Sequence, residues 1–252
     1  MIYDLQKASI WKRVSAFLFD VILWGVLAVG VALLLSSIFG YDVHTARLDE
    51  IYQSYEGEHG VSFSVTAEEY ADYTDAQIAQ LDKAMKALAA DEELIHVSGI
   101  LLNLTLLITT FSILLAFVVW ELIIPLILGN GQTLGKKIFG VAVMRVDGVK
   151  LAPLLLFVRT VLGKFTLETM IPVFLIIMLY FNLTGIVGIG AIVVLLLAQV
   201  ILVIASHTNA LLHDKLASTV VVDFASQMIF DTPEDLIEYK KRLHEAEAAK
   251  RD

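Results

Sequence analysis

An unbroken apolar run from Val21 to Phe39, headed by Arg13 and Asp20, constrains this chain more than any other feature. The run is long enough to cross a bilayer as a helix. Arg13 and Asp20 are about two helical turns apart, so they share one face, roughly 10 Å apart along the axis. Arg13 belongs near the headgroups. Asp20 falls inside the hydrocarbon, where an ionised carboxylate costs at least ~2.5 kcal/mol and marks a functional or structural tie.

The whole chain reads as an all-α polytopic membrane protein. Its 252 residues are 58% hydrophobic, with a mean hydropathy of +0.76, beyond an ordinary soluble domain. Four spans are expected. The first is Val14 to Phe39, within residues 1–39. The second is Leu94 to Leu128, long enough to tilt or project. The third and fourth share Phe165 to Ser206. As one helix, those about 42 residues would be roughly 63 Å long, about twice the hydrocarbon thickness. A hairpin turning at Asn182-Leu183-Thr184-Gly185 resolves the excess. A cleaved signal peptide is not expected, because the first run is too long and no small-residue cleavage site follows it.

Net charge is −9, but the charges are segregated. Residues 40–93 carry thirteen acids and only Arg47, Lys83 and Lys86 as bases. The other fifteen of the 18 lysines and arginines lie before the first span, between the second and third, or after the fourth. The positive-inside rule then puts both termini in the cytoplasm and the acidic segment outside. In that segment Thr74 with Gln77 reads as a capping box, followed by Ile78, Leu81, Met85 and Leu88 at helical spacing. Thr66 with Glu69 suggests a shorter helix before it. The expected product is an outer helical cap, a solvated acidic spacer or a site of local cation enrichment, with no calcium-loop spacing of its acids.

Residues 129–164 are the most patterned part. Gly129, Gly131, Gly135 and Gly140 punctuate them, and Asp147-Gly148 between β-branched residues signals a two-residue hairpin. With Ser218 to Phe224, within residues 207–224, a small three-stranded cytoplasmic sheet is expected. Lys136 after the glycines does not make a nucleotide loop: the spacing is wrong, Lys137 follows it, and no strand precedes it. Lys136 and Lys137 are expected to face lipid phosphate. Ala152 to Lys164 reads as an interfacial helix with Arg159 and Lys164 reaching headgroups. Residues 225–252 read as a polar helix capped by Thr232, with Pro233 first.

Polar residues recur in the inner third of each span: Asp20, Glu121, Glu168 and Gln199. Asn103 and Thr105 stand apart in the outer half of the second. Asp20 and Glu121 at like depth suit a cation or proton site, where repulsion and burial tune a carboxyl. They equally suit structural pairs with Arg13, Lys136, Arg159 or His213. A hydrolytic pair is not expected, since no nucleophile or metal cluster accompanies it. His207 and His213 face apart on a helix, so no metal site is expected. The Asn-X-Thr matches at Asn103 and Asn182 lie in or beside spans and are taken as chance.

Three stretches carry a resemblance. Trp11-Lys12-Arg13-Val14-Ser15-Ala16-Phe17-Leu18-Phe19-Asp20 opens the first span. Gly131-Gln132-Thr133-Leu134-Gly135-Lys136-Lys137-Ile138-Phe139-Gly140 follows the second, and Leu212-His213-Asp214-Lys215-Leu216-Ala217-Ser218-Thr219 follows the last. In this order they resemble the RDD family of small bacterial membrane proteins, named for one arginine and two aspartates. On that resemblance Arg13, Asp20 and Asp214 hold the named positions. Thr133, Gly135, Lys136, Gly140 and Arg159 fall where the pattern expects them. The likeness covers about residues 8–40 and 95–224. The long acidic segment and the tail inherit nothing from it.

Members of that family have been linked to sodium or proton exchange and to accessory roles. The resemblance therefore implies a small-cation or proton carrier of the bacterial inner membrane, or a scaffold binding partners through cap and tail. The expected charge cluster is Arg13, Asp20, Glu121, Lys136, Arg159 and Asp214, supported by Glu168, Gln199, His213 and Thr133. No enzyme activity, cofactor or nucleic-acid partner is expected. Homo-oligomerisation stays open, since no Gly-x-x-x-Gly stripe dominates a span.

Overall fold

The structure, a computed structural model, describes residues 5–180, 185–206 and 208–249. The chain forms two compact units. One holds residues 26–116, and the other holds the residues up to Gly25 with those from Phe117 on. The first helices are α1 (Ile10–Ile38), α2 (Tyr41–His59), α3 (Ala67–Ala71), α4 (Asp75–Ala89) and α5 (Glu92–Val118). A π-helical turn, Val119–Ile123, leads into α6 (Ile124–Leu128), followed by α7 (Leu134–Ile138) and β1 (Val141–Arg145). Then come α8 (Pro153–Phe157), a π-helical segment Val158–Met170, α9 (Ile171–Tyr180) and α10 (Gly185–Ala205). The chain closes with α11 (Leu212–Leu216), β2 (Thr219–Asp223) and α12 (Pro233–Ala248).

Three helical stretches are long and apolar enough to cross a membrane: Ile10–Ile38, Glu92–Leu128 and Gly185–Leu202. Their apolar side chains point outward. Ile22 is 65% exposed, Ile127 77% and Ile186 84%. Lipid is the solvent that such surfaces require, and helices satisfy their own backbone groups there. Before the last of these, the purely α-helical part, α9, has 10 residues and packs against α10. The expected turn at Asn182, Leu183 and Thr184 lies outside the described residues, as does His207.

In the 26–116 unit both sequence-read capping boxes form, Thr66 with Glu69 and Thr74 with Gln77. α2 is a helix that the sequence pattern did not announce, because acids interrupt its apolar positions. Ile51 nevertheless joins Leu88, Val97 and Leu101 in a core, with Tyr41, Leu48, Tyr55, Phe63 and Leu94 around them. α4 turns Leu81, Ala84 and Leu88 inward, whereas Met85, expected on the same face, is 53% exposed. Asp91 joins α5 to this core: its carboxylate accepts from Leu94 N–H and from the Tyr55 hydroxyl, both at 2.8 Å. Those donors hold the carboxyl below its ordinary value.

In the other unit β1 and β2 pair antiparallel, Val143 opposite Val221. The sheet has two strands, not the expected three. The Asp147-Gly148 turn forms, with Arg145 N–H bonded to Val149 O at 2.9 Å. Its returning arm makes two isolated bridges, Lys150 with Met144 and Val149 with Phe230, and no strand. The backbone of Lys150 turns to Phe230, and Pro153, which has no N–H for a ladder, starts α8. Both faces of the sheet are covered. Val141, Val143 and Val221 pack with Ala8, Phe139 and Leu151, while Ala142, Met144, Val220 and Val222 pack with Leu5 and Ile229. This is why β1 reads as a continuous apolar run instead of alternating.

Asp91→Ala removes a cap and a cross-link together. It is expected to lower the thermal midpoint of the nanodisc-embedded protein, whereas Asp82→Ala, at an exposed site on α4, leaves it unchanged. Tyr55→Phe is expected to fall between the two.

Candidate functional site

The unit joining the N-terminal residues to those from Phe117 on contains a charge-lined cavity of about 180 Å³. Arg13, Lys136, Arg159 and Lys164 supply positive charge, and Asp20, Glu121 and Glu168 negative charge. Two π-helical segments place most of these groups. In an α-helix Arg159 and Glu168, nine residues apart, would stand on opposite faces. With i→i+5 bonding a turn takes roughly 4.4 residues, so Arg159, Lys164 and Glu168 return to one face about two turns apart. All three line the cavity. The expected interfacial helix is therefore not separate: helix runs without a break from Pro153 to Tyr180. Arg159 is 4% exposed instead of reaching headgroups.

The π turn at Glu121 has a local cause. Pro125 has no N–H for the carbonyl four residues before it, which is that of Glu121. Thr160 Oγ1 donates to that carbonyl at 3.2 Å. The Glu121 side chain pairs with Lys164.

Asp20 is held by neutral donors, not by any of the cations expected from the sequence. Trp120 Nε1 at 3.1 Å and Gly135 N–H at 2.8 Å donate to Oδ1, and Thr133 donates to Oδ2. These bonds tie α1 to the second apolar stretch and to α7. Gly135 is required by close approach: a Cβ there would sit 2.8 Å from Asp20 Cγ and press on the Ala16 carbonyl. Trp120 escaped the sequence reading, although an indole N–H beside an acid in an apolar span is a legible signal.

Asp214 is the centre of a second network. Arg159 donates to Oδ1 through Nε at 3.0 Å and Nη2 at 2.7 Å, and Thr219 adds a hydroxyl at 3.2 Å. Leu211 N–H donates to Oδ2 at 3.2 Å. Arg13 pairs with Asp214 at 3.8 Å and donates to the Asn209 carbonyl at 2.8 Å. Burial alone would raise this carboxyl, but the Arg159 charge and hydrogen bonds outweigh it and hold it well below the ordinary carboxylate range.

His213 extends the network. Arg159 Nη2 lies 3.0 Å from Nε2, and Glu168 Oε2 2.7 Å from Nδ1. Guanidinium can only donate, so Nε2 accepts and Nδ1 carries the proton given to Glu168. Burial, then the Arg159 charge, push this imidazole down. Its backbone N–H reaches Glu168 at 2.9 Å, and Gln199 accepts from Leu212 N–H at 3.2 Å. A Cβ on Gly163 would fall 2.6 Å from His213 Cβ, so glycine alone lets these segments meet so closely.

Lys136 differs from the other three cations. Among the described residues its ammonium has no hydrogen bond or ion pair, although it lines the cavity. Burial pushes it down and Glu121 pulls it back; Arg159 and Lys164 then push it down again, to about 8.

The sequence-predicted groups Arg13, Asp20, Glu121, Lys136, Arg159, Glu168 and His213 thus meet around one cavity. Thr133, Asp214 and Gln199 support them from behind. The model of the RDD family matches residues 7–218. This chain belongs to the RDD family. It is a membrane protein whose Arg13, Asp20 and Asp214 anchor two buried networks. No curated protein and no solved structure matches it.

Gly135→Ala forces Asp20 off its donors and is expected to destabilise the fold by about 1–3 kcal/mol, read as a lower midpoint in thermal unfolding. His213 and Asp214 both have lowered folded values, so both contribute stability above their unfolded values, ~6.5 and ~3.9. That stability is lost as pH falls through these values toward the folded ones. The thermal midpoint is expected to decline from about pH 6.5 downward. His213→Gln should lower it at pH 7.5 and flatten the first part of that decline.

Proposed function

We propose that this protein is a carrier exchanging protons for small cations through the charge-lined cavity, and not an enzyme. The observation supporting this most is the unpaired Lys136 beside the Glu121–Lys164 pair. A carboxylate between two lysines, one without a partner, can exchange its ammonium neighbour for a metal cation when Lys136 releases a proton. Asp20 and Asp214, whose oxygens are saturated by fixed donors, hold the frame while Glu121 and Lys136 change charge.

Four crossings complete this reading. The helix through the 158–170 π segment and α9 supplies the third, and both termini lie in the cytoplasm of a bacterial inner membrane. Charge segregation supports that orientation. A non-transporting scaffold is the second reading. It is favoured by α12, which has no buried residue along Pro233–Ala248 and, apart from Tyr239 against Phe230, leaves most of its surface open to a partner.

Flux in proteoliposomes separates the two. The native protein is expected to couple Na⁺ or K⁺ movement to a pH gradient. Lys136→Gln should abolish the coupling with at most a small change in thermal midpoint, and Glu121→Gln should abolish it with a lower midpoint. Asp20→Asn should lose activity only in proportion to lost folded protein. No flux of Na⁺, K⁺ or H⁺ by native protein would establish the scaffold reading. Labelling of Ser64→Cys from the cytoplasmic side alone would overturn the orientation.

A further inference from the structure

The acidic segment encloses a second cavity, of about 720 Å³, that ion exchange does not use. Its size is that of a small-molecule pocket. Its walls are apolar and aromatic. Tyr52 and Phe63 meet edge to face at 5.8 Å, and Tyr70, Leu81, Met85 and Ala89 add to a lining with few polar groups. Met85 at 53% and Tyr70 at 44% exposure are large side chains left open to solvent here.

Three carboxylates adjoin this lining without forming part of it, each held by the backbone N–H of a lining residue. Glu56 accepts from Phe63 at 2.6 Å, Glu69 from Thr66 at 2.9 Å, and Asp91 from Leu94 at 2.8 Å. None of the three has a cationic partner among the described residues; Arg47, the base of α2, is taken up by Glu50 and Glu93. The thirteen acids of residues 40–93 against three lysines and arginines extend the same negative field. An apolar cavity lined by aromatic faces and set among unpaired carboxylates favours a ligand that is greasy and positively charged. Aromatic rings attract a cation over their faces, and the low-dielectric wall focuses the carboxylate field.

We infer that this pocket binds an amphipathic organic cation, with its apolar body against Tyr52, Phe63, Tyr70 and Met85 and its charge toward Glu56, Glu69 and Asp91. The volume matches a small molecule, whereas a peptide would need a longer groove.

The test uses the full chain in nanodiscs of neutral lipid, titrated with tetraphenylphosphonium and, separately, with tetraphenylborate, its anionic counterpart of similar shape. Empty nanodiscs correct for partitioning. Saturable binding of the phosphonium and none of the borate is expected. Glu69→Gln should weaken binding roughly 2- to 5-fold; Gln keeps the capping box, so α3 stays folded. Ala89→Trp fills the cavity and should abolish binding. If that variant lowers the thermal midpoint, Glu69→Gln and the pair of probes decide alone. Equal binding of both probes, or a phosphonium affinity indifferent to Glu69→Gln, would overturn the inference. So would saturable binding of a lysine–leucine helical peptide by a protein that ignores the phosphonium.

Discussion

The structure depends on how acids are satisfied where water is scarce. A carboxylate taken out of water must find donors or counter-charges, or its proton affinity rises and it stays ionised only at large cost. Asp20 is met by an indole, a hydroxyl and a backbone N–H. Asp214 is met by a two-nitrogen arginine contact. Each solution draws donors from segments far apart in sequence, so each carboxylate fixes the meeting of helices as well as being held by it. Asp20 sets α1 against the Trp120 turn and α7. Asp214 sets α11 against the 158–170 segment and the start of α1.

The π-helical stretches change which residues can meet. Proline at 125 removes an N–H, and Thr160 takes over the freed carbonyl. The wider turn of the 158–170 segment then aligns Arg159, Lys164 and Glu168, which α-helical spacing would scatter. With those three aligned, His213 can bridge Arg159 and Glu168 as a neutral imidazole. Among the described cations that line the cavity, Lys136 is left without a partner, and the proposed carrier reading rests on this asymmetry.

The two cavities follow opposite chemistries. One is small, lined by charges of both signs and set among apolar helices. The other is larger, apolar within, and fixed among carboxylates that stay ionised because backbone N–H groups hold Glu69 and Asp91 low. The proposed exchange of small ions would have no need of the second, which is why we assign it a ligand of its own.

Much was legible in the residues. The apolar runs show the membrane class because only lipid accommodates them, and the capping boxes at Thr66 and Thr74 and the cap at Thr232 are local interactions within one turn. Arg13, Asp20, Glu121, Lys136, Arg159 and Asp214 stood out as charges where charge is costly. Their partners were not legible. Periodicity assumes 3.6 residues per turn, so it separated Arg159 from Glu168 and cast Arg159 toward lipid. Asp20 looked destined for a cation because charge is visible in sequence, while a tryptophan N–H and a glycine backbone are not. The returning arm of the hairpin promised a third strand, but Pro153 and Phe230 claimed its backbone. Sequence by itself determined which groups had to be buried and which turns would close. Tertiary structure decided who satisfies whom, since hydrogen-bond partners at separations of a hundred residues are set by helix phase and close approach, which no local pattern encodes.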